Sequence, residues 1–401
     1  MIFVLAAATL ALAALLLAEA ALRLYHRLFL AERFHLPSKR SLFLVHPDIS
    51  PSLPAEARFF TNSWGERGDE PPRVARLYRG LVLGGSAAEC GLLDQDQAWP
   101  AQIQSGLQEA VQSGLIPADC AYVGTMSRSG LDVRGLRIAL QRLQPFRPPL
   151  DFILIHSGPS DFARWIDFGS PPGGAVPALP AHQILNVCRD TRFGLLPKST
   201  ALFYYLKRLS AALSPARVEQ RKVGRMPVEA RKLRAASHPH IPLPAPIQPF
   251  LDSYRAGLLD LIAEARLHCR HVFLLPQLWL DPASCSANAD PALWFGRFHR
   301  MAESSAPPLF IQHSEIERLF RGVYSATVDA AAAAGVHAVD LQGRFPQDLT
   351  NFYDDDHFTP AGAALTGRLV AQRIVAIEST PPLPAAAPSP PPFSKPPLDA
   401  I

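Results

Sequence analysis

The chain is expected to fold as an α/β protein of three layers: a mostly parallel central sheet between two sets of helices, with an apolar helix ahead of it and a helical insertion inside it. Three observations predict this. Short, nearly continuous apolar runs recur at residues 81 to 84 (LVLG), 120 to 124 (CAYVG), 151 to 157 (DFILIHS), 271 to 277 (HVFLLPQ) and 336 to 341 (VHAVDL), as strands buried on both faces should. Between them lie amphipathic helical patterns. Leu251, Tyr254, Leu258, Leu261, Ile262 and Ala265 share one helical face, and so do Ile316, Leu319, Phe320, Val323 and Ala330. Strand and helix in alternation imply right-handed crossovers and a sheet covered on both sides. Ligands of such sheets bind at the carboxyl ends of the strands.

In chain order, residues 1 to 22 carry no charge except Glu19 and reach roughly the ~20 residues a bilayer-crossing helix needs. A cleaved signal has a basic start and a shorter apolar core, so residues 1 to 24 read as an uncleaved, single-pass transmembrane anchor, with a buried N-terminal helix as the alternative. Arg23, Arg27 and Arg33 follow the span, which by the positive-inside rule places the bulk of the chain in the cytoplasm. Residues 25 to 78 form a linker or extension, and 79 to 380 the sheet-bearing domain. Residues 162 to 249 are far longer than an ordinary connection and read as an insertion or lid. Within it, residues 198 to 234 hold ten Lys or Arg against two Glu. That pattern suits a solvated helix pair with a basic face, or a surface for anionic glycan or lipid headgroups. HPHIPLPAPIQP, residues 238 to 249, is expected to be extended. From Pro381 onward nine of 21 residues are proline, and this end is expected to be a disordered tail.

Composition excludes several functions. At 48% hydrophobic over 401 residues the chain can bury a sizeable core. A net charge of +4 gives no electrostatic footprint of a nucleic-acid binder. Cys90, Cys120, Cys188, Cys269 and Cys285 contain no C-x-x-C pair, which argues against a zinc site and a disulfide framework. No metal and no cofactor are expected.

The chemistry-bearing stretches follow strands. LVLGGSAAECG, residues 81 to 91, ends a strand in two glycines that let the chain turn sharply and present Ser86. Ser86 there is either the N-cap of the next helix or a nucleophile, and a serine nucleophile needs a base oriented by a carboxylate. YDDDHFTPAG, residues 353 to 362, supplies both. Thr359 can cap a helix opening with Pro360, so His357 lies in a loop after the last strand, and Asp354 can fold back onto its Nδ1. Asp355 and Asp356 then read as solvated loop residues. A metal reading of this acidic cluster was weighed and set aside, because no second His/Asp cluster of similar density appears. His156 is a satisfied core histidine or a second base, and Asp161 orients its loop through backbone hydrogen bonds. Arg128 is solvated or meets a charged substrate. Trp279, Trp294 and Phe295 wall a sugar or acyl pocket or pack the core.

These stretches resemble the blocks of the SGNH, or GDSL, hydrolases, over about residues 79 to 375. GGSAAECG resembles the nucleophile block with Ser86 in the serine position, and AWPAQI the helix start that follows it. VGTMSRSG is similar to the second block and implies an oxyanion-hole glycine at Gly130. SGPSD, residues 157 to 161, resembles the G-x-N-D block with Ser160 in the asparagine position, and Asp354 with His357 matches the D-x-x-H block. NSWGERG, residues 62 to 68, is similar to an element of the membrane-anchored bacterial branch. The resemblance implies a flavodoxin-like fold, catalysis by Ser86, His357 and Asp354, and an oxyanion hole completed by Gly130 and Ser160. It also implies an ester substrate, carbohydrate or lipid, with hydrolysis or acyl transfer as the reaction, and a catalytic domain on the periplasmic side, against the arginine count. Two departures stand out. Gly85 replaces the aspartate that usually precedes the serine, and Ser160 replaces the asparagine. Loss of one oxyanion donor can cost about 3–4 kcal/mol of transition-state stabilisation, which opens a second reading: a catalytically impaired member that binds glycan or a partner protein.

Overall fold

The computed structural model describes residues 1 to 213, 218 to 298 and 309 to 379; the tail expected from Pro381 lies outside them. In chain order the strands are β1 (Arg40–Val45), β2 (Glu56–Phe60), β3 (Leu77–Gly84), β4 (Cys120–Ser127), β5 (Leu150–His156), β6 (Glu219–Val223), β7 (Cys269–Leu274), β8 (Arg297–Phe298), β9 (Leu309–Phe310) and β10 (His337–Ala338). The helices are α1 (Ile2–Phe29), α2 (Ser86–Glu89), α3 (Trp99–Gln112), α4 (Val133–Leu143), α5 (Pro159–Asp167), α6 (Ala181–Ile184), α7 (Ala201–Leu213), α8 (Arg225–Ala236), α9 (Gln248–Arg266), α10 (His313–Ala334) and α11 (Pro360–Glu378).

Among the described residues the central sheet has five strands in the order β10-β7-β5-β3-β4, all pairs parallel. Counted along the chain this is the doubly wound order 2-1-3-4-5, whose ligand crevice opens where the winding reverses. Here that point lies between the carboxyl ends of β3 and β5, and the two loops leaving those strands carry Ser86 and Ser160. Leu81, Val82 and Leu83 on β3 are wholly buried, which is why that run shows no alternation of apolar and polar residues. The expected fold class and all five expected strands are present. α3 packs with α11, while α4, α9 and α10 pack in series.

A second sheet of three strands, β2-β1-β6, joins the segment after α1 to the inserted region: β1 is antiparallel to β2 and parallel to β6. Val45, Ile49 and Ala57 from this sheet region pack with Val228 of α8 and with Tyr353. Insertion, extension and the His357 loop therefore share a small core.

α1 is long and apolar enough to cross a membrane. Its last turns are docked. The Glu19 carboxylate accepts hydrogen bonds from Ala201 N (2.9 Å) and Leu202 N (2.8 Å), satisfying free N–H groups at the start of α7. Arg23 donates to Gly194 O (2.7 Å), and His26 is buried with its Nε2 2.9 Å from Cys188 O.

Candidate active site

β3 delivers the first residue. Its N-cap is Gly85, so Ser86 is the first residue inside α2, and the capping role open to this serine from the sequence falls away. Gly84 is required by space, since a Cβ there would lie 2.5 Å from the backbone His156 O; one on residue 85 would lie 2.6 Å from Ser160 Oγ, the rotatable end of a short side chain. Positions 85 and 160 are therefore in direct contact.

α2 is held from behind. The buried Arg67 guanidinium donates to Glu89 O, to Cys90 O (2.9 Å) and to Leu93 O (2.9 Å), satisfying carbonyls that a four-residue helix leaves open. The Glu89 carboxylate in turn accepts from Ser129 N (2.8 Å), tying α2 to the loop after β4. In that loop Gly130 adopts φ +76°, a left-handed angle that other residues take with difficulty. The NSWGERG stretch explains itself here. Glu66, wholly buried, receives Arg147 Nη1 (2.6 Å), Tyr122 Oη (2.8 Å) and Arg79 Nη2 (3.3 Å), so its charge is compensated on several sides.

The base arrives on the loop before α11. Thr359 caps that helix through Gly362 N (3.1 Å), with Pro360 at its start, as expected. His357 Nδ1–H donates to Asp354 Oδ1 (2.8 Å) and Oδ2 (2.9 Å), and Asp354 Oδ1 also accepts the backbone N–H of His357 (2.9 Å). Trp294 Nε1 donates to Asp354 Oδ2 (2.9 Å), and the Tyr353 ring stacks on the imidazole. With Nδ1 committed, Nε2 is the nitrogen left for a reacting partner.

Asp355 and Asp356 are not solvated, contrary to expectation: they are 2% and 0% exposed. Asp355 accepts Trp294 N (2.8 Å) and Phe295 N (3.2 Å), binding the His357 loop to a segment sixty residues away. Asp356 Oδ1 lies 3.0 Å from His357 Nδ1 as an ion-pair contact. Burial opposes charge on His357, but Asp354 and Asp356 outweigh it and hold the imidazole well above the ordinary histidine range. Asp354, though buried, is drawn below the usual carboxylate range by that imidazolium, whereas burial pushes Asp356 up and Asp355 to about 7. Asp354, Asp356 and His357 also lie close enough to hold a cation, but their approach is already accounted for by the imidazole–carboxylate bond.

Ser86, Gly130, Ser160, Asp354 and His357 line one cavity of about 740 Å³. The structure thus brings together residues from four separate stretches of the sequence.

No family model and no curated protein matches the chain. Solved structures do. The chain is similar to esterases and acylhydrolases. An acetylxylan esterase from Geobacillus stearothermophilus shares 14% identity at a TM-score of 0.38, over 76% of this chain and 97% of that one. A lipase/acylhydrolase from Enterococcus faecalis shares 11% at 0.37, over 75% and 96%, and a lipolytic protein of the G-D-S-L family from Veillonella parvula 8% at 0.35, over 74% and 97%. The fold described above rests on the sheet order itself, and the chemistry on this chain's own residues.

The remaining expected residues divide. His156 is buried, donates Nδ1–H to Leu275 O (2.9 Å) and is pushed down to about 4 by burial. It is a neutral imidazole. Asp161 accepts Val133 N (3.1 Å), as expected of a loop-orienting carboxylate. Arg128 neither floats in solvent nor meets the cavity: it donates to Gln183 O and Ile184 O and lies over the Phe34 ring. Trp279 is core, stacked on Phe320, while Trp294 and Phe295 line the cavity. Arg67 and Arg231 escaped sequence reasoning. Arg231 donates to Ile49 O (2.6 Å), Tyr353 O (2.7 Å) and Ala292 O (3.0 Å), pinning α8 to the His357 loop. The signal for Arg67 was present, inside NSWGERG; for Arg231 there was none.

Proposed function

We propose that this chain is a serine-dependent hydrolase of ester bonds, with acyl transfer to a second alcohol as a close variant. Ser86 attacks the acyl carbonyl while His357 Nε2 takes its proton and later returns it to the leaving alkoxide. Asp354 fixes the tautomer and compensates the imidazolium. The backbone N–H groups of Ser86 and Gly130, with the Ser160 hydroxyl, serve as donors to the developing oxyanion. One observation carries the reading: a hydroxyl at a strand end and a carboxylate-buttressed imidazole line the same cavity. The substrate is an ester of envelope carbohydrate or lipid, reached from a membrane anchored through α1, with the domain on the periplasmic side.

The second reading, an impaired binding protein, is favoured by Ser160, whose hydroxyl reaches less far than an amide. Labelling by a fluorophosphonate separates the two. A covalent adduct on Ser86, lost in Ser86→Ala together with ester turnover, is the expected result. A folded protein that takes no label and turns over no ester rejects the hydrolase.

A further inference from the structure

We propose that the cavity is an acyl-chain pocket and that the acyl group is medium or long, of about eight carbons or more, rather than acetyl. This rests on the hydrolase reading and names its substrate class. An acetyl group fills roughly twice the ~30 Å³ share of a water molecule, whereas the cavity measures about 740 Å³ and falls in the range of sites that enclose a whole drug-sized ligand.

Most wall residues are apolar, with Asp167, Glu229 and Arg297 beside them, and they come from outside the central sheet. Phe43 stands on β1, Val223 at the end of β6, Met226 and Leu233 on α8, Phe162 on α5, and Phe295 ahead of β8. The β1–β6 pairing, the small core around Val228 and the three carbonyl contacts of Arg231 hold these walls against the His357 loop, so the pocket is built into the fold. Met226 and Leu233 remain 62% and 39% exposed although they face it. Apolar side chains left uncovered around a concavity mark a site for an apolar partner. The indole N–H of Trp294 is already given to Asp354, and the charged groups that line the cavity away from the triad, Asp167, Glu229 and Arg297, are few beside its apolar side chains.

Full-length protein in lipid nanodiscs is assayed with p-nitrophenyl acetate and p-nitrophenyl octanoate, beside Ser86→Ala, Ala230→Phe and Leu233→Asp. Each methylene taken from water contributes up to about fourfold in kcat/KM. With half of the six extra methylenes buried, octanoate should exceed acetate by up to about sixtyfold. Ala230 is a buried member of the α8 wall, and a ring there should lower the octanoate-to-acetate ratio at least about fivefold. Leu233→Asp, at a half-exposed position, should lower it without threatening the fold. Ser86-dependent turnover in which acetate equals or exceeds octanoate overturns the acyl-chain pocket and leaves the hydrolase standing. Absence of Ser86-dependent turnover of either ester overturns the hydrolase, and this proposal with it.

Discussion

Asp356→Asn tests whether the second carboxylate sets the pH at which the base works. Asp356 Oδ1 is 3.0 Å from His357 Nδ1, and a full unit charge at that distance amounts to roughly 5 kcal/mol at an effective dielectric near 20. Asp356 carries only part of such a charge, because burial raises its carboxyl while Asp354 is the partner drawn down by the imidazolium. About a quarter of the full interaction, roughly 1.4 kcal/mol, corresponds to one pH unit. In the parent, kcat/KM should rise with pH along a limb above the ordinary histidine value, since His357 must lose its proton to act as a base. Removing a negative neighbour weakens the hold on that proton, so in Asp356→Asn the limb should move down by at least about one pH unit. The assay is kcat/KM for a soluble ester from about pH 5 to about pH 9. Asp354→Asn is the contrast: it removes the oriented acceptor and should cut kcat by about 10³–10⁴. An Asp356→Asn profile that overlays the parent would refute the reasoning.

Three further outcomes follow from the same coordinates. Asp355, pushed to about 7 by burial, contributes stability fully present below its unfolded value near 3.8 and lost as pH rises through about 7. The unfolding free energy of Asp355→Asn relative to the parent should therefore climb by a few kcal/mol from about pH 4 to about pH 8; a pH-independent difference contradicts the burial argument. Arg67→Met leaves the Glu89, Cys90 and Leu93 carbonyls without their donor and should cost about 3 kcal/mol or more by denaturant unfolding, a loss below about 1 kcal/mol speaking against the clamp. Gly85→Ala puts a methyl 2.6 Å from Ser160 Oγ but 3.6 Å from its Cβ. It should destabilise by about 1–3 kcal/mol in the parent and by much less in Ser160→Ala, and an additive double-mutant cycle counts against the coupling.

The sheet was legible because its strands are buried on both faces, which leaves an unbroken apolar run for each. The helix before which His357 sits was legible because a cap and a proline are local signals: Thr359 and Pro360 act as their types dictate. Asp355 and Asp356 were misread for the complementary reason. Three consecutive aspartates look solvated unless one knows that Trp294 N, Phe295 N and the imidazole reach them, and two of those partners are sixty residues away. The α8 wall was equally hidden, since β1 and β6 pair Ser41 with Glu219, far apart in the chain. Position 85 shows a third kind of miss. Gly85 and Ser160 looked like two independent departures in sequence and are neighbours in space.

Glu19 and Arg23 clamp α1 to the start of α7 and to the Phe193–Gly194 backbone, so rod and body meet without a swivel. For an anchor this means the domain cannot roam on a tether; the tilt and roll of one helix set where the cleft points. Were α1 to span a bilayer, one residue added ahead of Glu19 would turn the whole body by about 100° and lift it by about 1.5 Å relative to the lipid. In that arrangement the working height is written in the length of the stem.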